Sequence, residues 1–453
     1  MENTYNLYSE IKFSENKNIF YQKKYSFYDL KRLIENQFKK LKDKQHGIVL
    51  LTTKNKLKFI VRFYALNKAG FKVLISNSSL SKKEALREKV KANYMFKGNN
   101  LIRISKSKIK NNKKFDVILK TSGSTNYSKY VYLSNKNISF ITTKMNEEMF
   151  QKQKFNELIF SPIEHAFGFG RLHSIMKSDN SLSLCDEISF SEFYKYCKLF
   201  KCNSASMPAK ILVSLLEMDL KNFKKNSANL KYIQLSTGYF PLRYRKIIMK
   251  LKINLYINYG MTEAMRSTFL NCVSFPKKIH TEGKPFKQVK IKILKKQKRK
   301  IGKILIKGTN LAKGYSDKNL WKSKLQKGWF VTGDQGYLDK DGFLIFCGRD
   351  EDNININGIN YNLATIESDL KRELNTQDVK IINSSAKTNS FDPKIYLFIR
   401  SKNFQEPINK FLKTNNINIS FEKIFLVKKF KYAETGKINT KNLLNLIKNN
   451  VKR

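Results

Sequence analysis

The alternation of amphipathic helix and short buried strand at the amino-terminal end restricts the fold more than any other feature of this sequence. Ser26 to Leu41 (SFYDLKRLIENQFKKL) puts Phe27, Leu30, Leu33, Ile34, Phe38 and Leu41 on one face at helical spacing, and Gly47 to Thr52 (GIVLLT) follows as a buried strand. Lys56 to Ala69 is helical again, Gly70 ends it, and Phe71 to Ile75 returns to strand. Strands separated by helices in this way predict a parallel sheet covered by helices, hence an α/β fold.

The same logic repeats from Glu157 to Tyr259, with strands at Leu158 to Phe160, Ile233 to Leu235 and Asn254 to Asn258. From Lys287 to Gly348 short strands alternate with Gly and Asp turns, which reads as a β-rich subdomain. After Arg349 a smaller α+β unit begins, with helices near Leu363 to Leu374 and Pro407 to Lys413, strands at Val379 to Asn383 and Lys394 to Phe398, and a last strand and helix. A chain of 453 residues has room for roughly two to four such units. The expected organisation is a large amino-terminal domain, residues 1–349, built from two parallel-sheet α/β subdomains and the β-rich subdomain. A small α+β domain, residues 350–453, follows a joint at about 350.

Within this frame the string TSGSTNYSKY at 121–130 stands between a strand at Asp116 to Leu119 and another at Tyr130 to Leu133. A loop of Ser, Thr and Gly can turn successive backbone N–H groups and hydroxyls toward one anion, and Lys129 adds a point charge. It is not a Walker loop, because the Gly-Lys-Ser/Thr step is missing and a strand follows it. Taken alone, the string reads equally as a hydroxyl-rich turn between strands.

Further strings follow: LSTGYFPL at 235–242, NYGMTEA at 258–264, GWFVTGDQGYLDKDGFLIFCGRDEDNININGINYNLATIES at 328–368 and ETGKIN at 434–439. In this order and spacing they resemble the adenylate-forming superfamily of acyl-CoA synthetases, peptide-synthetase adenylation domains and luciferases. The resemblance covers essentially the whole chain, since YSFYDLKRLIENQFKKL near 25 and LNKAGFKVLI near 66 look like that family's amino-terminal motifs.

The resemblance implies that a carboxylic acid is condensed with ATP to an acyl-adenylate, releasing pyrophosphate, and that the acyl group then passes to the thiol of coenzyme A or of a phosphopantetheinyl carrier protein. Thr121, Ser122, Gly123, Ser124, Thr125 and Lys129 would close over the β- and γ-phosphates. Gly238, Tyr239 and Phe240 resemble the adenine-side loop, and Asn258, Tyr259 and Gly260 belong to the same binding surface, with Tyr259 stacking on adenine. Thr262 would contact the α-phosphate and Glu263 would hold Mg²⁺, which takes hard oxygen ligands shared with substrate phosphates. Asp334 would accept from the ribose hydroxyls, aided by Arg349. Lys437 resembles the adenylation lysine, whose ammonium stabilises the transition state between two anionic groups. Glu351 would be the hinge of the mobile domain. His165, in FSPIEHAFGFG, looks like the segment lining the acyl pocket, which Phe167, Gly168, Phe169 and Gly170 would shape. Each residue also has a plain reading: Glu263 as the start of a solvated helix, Asp334 as a turn aspartate, Lys437 as a surface lysine, His165 as satisfied packing.

The chain departs from the family pattern at several places. Asn126, Ser128 and Tyr130 stand where Gly, Pro and Gly are usual, Asn355 replaces a common lysine, and Lys431 and Ala433 replace the usual Pro and Thr before Gly436-Lys437. Asn tolerates left-handed geometry, so the loop turn is expected to survive. For the acceptor, NYGMTEA favours coenzyme A, whereas Leu363 stands where carrier-loading enzymes have Leu.

Charge argues about partners. The chain has 88 Lys plus Arg against 36 Asp plus Glu, a formal +52. The excess runs along the whole length without a nucleic-acid-reading motif, so it implies attraction of anions such as ATP, coenzyme A or an acidic carrier protein, and no nucleic acid. A basic nucleic-acid binder and an inactive nucleotide-binding scaffold of the same fold are the competing readings. The five cysteines are scattered and unpaired by spacing, and no zinc site is expected. No apolar run approaches the roughly 20 residues needed to span a bilayer, and Met1 to Glu10 does not read as a secretory signal, which together predict a cytoplasmic protein.

Overall fold

The computed structural model of the chain describes residues 5–451 apart from 77–89, 106–114, 122–128, 150–153, 186, 219, 237–239, 296–300, 350–352, 357–358, 375, 377, 385–393, 401–403, 416 and 432–437. The chain forms two compact units, one of Met1–Ile291 with Ile306–Phe330 and one of Lys292–Leu305 with Val331–Arg453. It passes from one to the other within the strands Val289–Lys295, Gly302–Gly308 and Trp329–Leu338.

The first unit is α/β and contains two sheets. A seven-stranded sheet runs in the order Gly314–Tyr315, Lys129–Leu133, Val117–Thr121, Lys72–Ile75, Ile48–Leu51, Tyr94–Lys97, Asn100–Arg103. Its inner pairs are parallel, as the alternation requires, while both edges close with antiparallel strands. Val49, Leu51, Val73 and Val117 are fully buried, so the central strands read as unbroken apolar runs. The two amino-terminal helices span Phe27–Lys39 and Lys56–Lys68. The first starts with a capping box between Ser26 and Asp29, and the second is capped by the Asn55 side chain on Lys58 N–H. Each cap is worth about 1 kcal/mol.

A nine-stranded sheet has the order Lys284–Pro285, Thr268–Asn271, Asn254–Ile257, Tyr232–Ser236, Ser204–Pro208, Asn156–Ile159, Ser181–Leu184, Asn18–Tyr21, Lys23–Ser26. The run from Asn254–Ile257 to Asn18–Tyr21 is parallel throughout. The hairpin of residues 18–26 is a feature the helix-centred pattern around it obscures; it pairs Ile19 with Leu182 and Phe20 with Ser183, so the start of the chain belongs to the second sheet. Helix Ala166–Met176 is fixed to this sheet by a buried fork: Arg171 Nε and Nη2 donate to Glu157 Oε1 and Oε2 at 2.9 and 2.5 Å. Both side chains are wholly buried, so the two-point geometry has to offset a desolvation cost of several kcal/mol per ion.

In the second unit the later part of Trp329–Leu338 pairs antiparallel with Leu344–Arg349, and Asn353–Ile356 pairs with Ile359–Asn362. A three-stranded sheet of Val379–Asn383, Ile395–Ile399 and Lys423–Leu426 follows. Alternation along Ile395–Ile399 sends Ile395, Leu397 and Ile399 into a core with Leu370 of helix Leu363–Glu373 and Ile408 of helix Gln405–Thr414. Tyr396 and Phe398 point the other way, onto Leu443 and Ile447 of helix Thr440–Val451. Among the described residues no helix is long and apolar enough to cross a membrane.

Candidate active site

Parallel register places the motif loops of the first unit side by side. Ile159 lies opposite Ser206, Met207 opposite Leu235, and Leu235 opposite Ile257, so the strands ending at Ile159, Ser236 and Ile257 finish together at the carboxyl edge of one parallel run. That edge is where open α/β sheets bind ligands. Asn258 and Gln234 knit it together: Gln234 Nε2 donates to Asn258 Oδ1, and Asn258 Nδ2 donates to Thr268 O at 3.0 Å.

The loop expected to hold phosphates is closed at its base by the strand pair Val117–Thr121 and Lys129–Leu133, with Thr121 opposite Lys129. The Thr121 hydroxyl donates to Lys129 O at 3.4 Å, and both side chains are half-buried. Ser122, Gly123, Ser124 and Thr125 lie outside the described residues.

Tyr315 joins this hairpin to the NYGMTEA turn. The strand Gly314–Tyr315 pairs antiparallel with Lys129–Leu133, setting Tyr315 opposite Val131. Its hydroxyl donates to Glu263 Oε1 at 2.5 Å, and its ring centroid is 5.8 Å from Lys129 Nζ. Burial first, then the charge and hydrogen bond of Glu263, push the Tyr315 hydroxyl far above its ordinary value, so it remains a donor throughout the working pH range. Backbone contacts fix the same junction, with Ala312 N–H donating to Glu263 O at 2.8 Å and Lys313 N–H to Tyr132 O at 2.7 Å. Glu263 Oε2 carries no hydrogen bond among the described residues. A half-buried carboxylate with one oxygen anchored by a tyrosine hydroxyl has the hard-oxygen chemistry that Mg²⁺ takes when shared with phosphates. Tyr315 was not singled out from the sequence; the Gly314-Tyr315 step after a short strand was the available signal.

The turn itself is tight. A Cβ at Gly260 would come within 2.5 Å of Arg266 N and 3.1 Å of Ala264 O, so no side chain fits there. Met261 and Ala264 exchange backbone hydrogen bonds, which leaves Thr262 and Glu263 at the tip, both half-buried. Tyr259 is 7% exposed, and its carbonyl accepts from Ser267 and Thr268 N–H. Phe240 is buried against Tyr244, and its carbonyl accepts from Arg245 Nε at 2.7 Å; Gly238 and Tyr239 lie outside the described residues.

His165 occupies the N-cap position of helix Ala166–Met176 with extended backbone, and its carbonyl accepts from Phe169 N–H at 2.8 Å. The helix can approach the preceding turn because residue 168 is glycine: a Cβ there would lie 2.2 Å from Pro162 O.

In the second unit Asp334 and Arg349 face each other across the antiparallel pair, Arg349 Nε lying 3.3 Å from Asp334 Oδ1. Asp334 is 4% exposed, its N–H is held by the Thr332 hydroxyl at 3.0 Å, and Gly333 turns the chain with φ of 81°. Lys437 and Glu351 lie outside the described residues. The segment carrying Lys437 is closed at its base by Asn439 N–H donating to Lys431 O at 2.8 Å.

Known proteins resemble this chain in sequence and in fold. A family model described as AMP-binding enzyme matches residues 63–316, which include the strand pair at 117–133, the 258–264 turn and Tyr315. The 2-succinylbenzoate–CoA ligase of Lactococcus lactis subsp. lactis is 28% identical over 255 residues, 56% of this chain and 54% of that protein. That of Bacillus licheniformis is 26% identical over 316 residues, 68% of this chain and 65% of that protein. The oxalate–CoA ligase of Saccharomyces cerevisiae is 28% identical over 253 residues, 53% of this chain and 46% of that protein. The chain thus spans about half to two thirds of the length of the curated relatives it matches. Among solved structures, O-succinylbenzoate coenzyme A synthetase (MenE) from Bacillus subtilis with ATP and magnesium ion superposes with a TM-score of 0.80 at 20% identity, covering 97% of this chain and 98% of that one. An ATP-bound RpMatB-BxBclM chimera gives 0.81 at 18% identity, covering 99% of each. The superpositions show a shared fold from end to end, and the family match over more than half of the sequence, which takes in the 117–133 hairpin and the Glu263 turn, makes this chain a member of the AMP-binding enzyme family.

Proposed function

We propose that this protein is an AMP-forming acid–thiol ligase. A carboxylate oxygen of the acid attacks the α-phosphorus of ATP, the bond to the β-phosphate bridge breaks, and pyrophosphate leaves. The thiol sulfur of coenzyme A then attacks the acyl carbon, AMP departs, and the thiol proton goes to solvent. The observation that carries this reading is the junction at Tyr315, which fixes the Glu263 carboxylate beside the strand that ends the phosphate hairpin at Lys129.

The residues divide the work as follows. Thr121, Lys129 and the loop between them receive the β- and γ-phosphates, Thr262 meets the α-phosphate, and Tyr259 with residues 238–240 takes the adenine. Asp334 and Arg349 hold the ribose. Glu263 would hold Mg²⁺, which when bound neutralises charge on the phosphate oxygens. His165 and the glycine-rich helix start bound the acid. Lys437 supplies the ammonium that stabilises charge at the α-phosphorus, delivered by residues 350–453 turning about Glu351. A cytoplasmic setting would supply ATP and coenzyme A.

The relatives, CoA ligases for 2-succinylbenzoate and oxalate, favour coenzyme A as acceptor and point to dicarboxylic acids for the first trials. A phosphopantetheinyl carrier protein is the second acceptor to test, because Leu363 opens the first helix of the carboxy-terminal segment where carrier-loading enzymes have leucine. Carboxylate-dependent exchange of labelled pyrophosphate into ATP tests adenylation, and thioester formation with each thiol tests the acceptor. Absence of exchange across dicarboxylic, fatty, hydroxy and amino acids would favour an inactive nucleotide-binding scaffold.

A further inference from the structure

Arg266 lies just past the Glu263 turn, with φ of 40° and 3% exposure. Its guanidinium does not reach solvent. Nη2 donates to Phe167 O, Nη1 reaches Ala166 O at 3.4 Å, and Cζ stands 5.1 Å from the centroid of the Phe167 ring. Nε is buried without a hydrogen-bond acceptor, and among the described residues no carboxylate forms an ion pair with this arginine. The carboxylate whose charge reaches it is Glu157, but both Glu157 oxygens are already occupied by Arg171. Two buried guanidiniums therefore share one buried carboxylate. Burial first, and then repulsion from Arg171, push Arg266 down to about 9 against the pull of Glu157, so it still carries its charge at neutral pH.

A buried cation held mainly by backbone carbonyls is costly to desolvate. A glycine inside a helix is also destabilising relative to alanine. Both costs meet at one point. A Cβ on residue 170 would lie 2.2 Å from Arg266 Nη1 and 3.0 Å from Cζ, so glycine at 170 is what leaves a slot for the guanidinium.

We infer that Arg266 is a positioning residue: it passes through the slot at Gly170 and ties the helix start at 166–167 to the 258–264 turn, setting the acid-binding segment at the right distance from the ATP-binding one. The inference rests on the proposed adenylation reading of those two segments. It assigns Arg266 no contact with substrate. Its unneutralised charge also gives the junction a positive potential, which favours arrival of the acid's carboxylate.

Pyrophosphate exchange is measured with oxalate, 2-succinylbenzoate, octanoate and lactate, using for the variants whichever acid the unsubstituted protein accepts. Arg266→Met raises the KM for that acid on the order of 10- to 100-fold, while the KM for ATP stays within about two-fold, since only the relative placement of the two segments changes. Arg266→Lys, which keeps the charge but not the fork, recovers part of the loss. Gly170→Ala reproduces the Arg266→Met defect in the unsubstituted background. In the Arg266→Met background the same Gly170→Ala change has no further effect on KM and leaves the melting temperature unchanged or raised. Arg266→Lys replaces Arg266→Met in this cycle if the latter does not fold. Acid and ATP KM values that rise together, or a Gly170→Ala defect equally large in both backgrounds, would overturn the inference while leaving the ligase reading intact. Failure of the unsubstituted protein to exchange with these four acids and with amino acids would overturn the ligase reading, and this inference with it.

Discussion

The hydroxyl of Tyr315 donates to Glu263 Oε1 from a strand that pairs with the one bearing Lys129, so a residue 52 positions further along the chain sets the orientation of the candidate metal-binding carboxylate. Replacing Tyr315 by Phe keeps the ring against Trp321 but removes the donor. Hydrogen bonds to charged groups are worth about 1.5–3 kcal/mol. Tyr315→Phe is therefore expected to lower pyrophosphate exchange by on the order of 10- to 100-fold and to raise the Mg²⁺ concentration needed for half-maximal rate. An unchanged Mg²⁺ titration would remove Tyr315 from the metal site.

Lys437→Ala is expected to reduce acyl-AMP formation on the order of 10² or more, by analogy with loss of one charge-stabilising donor. Transfer from preformed acyl-AMP to the thiol should persist. Comparable loss of both half-reactions would count against a carboxy-terminal domain that works in two positions.

The Glu157–Arg171 fork makes a stability prediction. Glu157→Gln leaves Arg171 and Arg266 buried without a carboxylate and should lower the unfolding free energy by about 3–5 kcal/mol in denaturant titration. Replacing the pair together, Glu157→Leu with Arg171→Met, should recover much of that loss. Additive losses would show that the pair is not the coupled unit its geometry describes.

Lys17 gives the pH dependence. It is fully buried, lies 3.8 Å from the Phe27 ring centroid, and donates to Met176 O at 2.8 Å and Lys12 O at 3.2 Å. Burial pushes it down to about 6, with Asp179 opposing. Above that value and below the ordinary lysine range, the unfolded chain binds a proton that the folded chain does not, so stability rises with pH by up to about 1.4 kcal/mol per unit. The gain is lost as pH falls toward 6. Unfolding at pH 7 and pH 9 should show a larger increase for the unsubstituted protein than for Lys17→Met. Parallel curves would mean that Lys17 keeps its proton in the fold.

Much of this fold is legible in the sequence because its parts are local. Apolar runs of strand length and capped amphipathic helices fix the parallel sheets, and hydroxyl- or glycine-rich strings mark the loops at their carboxyl ends. The strands at 48–51 and 72–75 and the helix at 56–68 differ from expectation only at their termini. What stayed hidden depends on contacts between distant positions. Tyr315 reads as one aromatic among 22 tyrosines, and Arg266 as one cation among 88, until the fold sets the first on Glu263 and the second in the slot at Gly170. The hairpin at 18–26 was missed for a related reason, since its partner strand begins at Ser181.

That hairpin constrains synthesis. Asn18–Tyr21 has its parallel neighbour in Ser181–Leu184, so the first ordered strand cannot find its place until about 160 further residues have been translated. At ribosomal rates of about 5–20 residues per second that is a wait of roughly 8–32 s. The seven-stranded layer has most of its strands by residue 133 and can assemble in the interval, leaving the amino-terminal ribbon tethered beside it as an unclaimed edge that chaperones or neighbouring nascent chains would meet first.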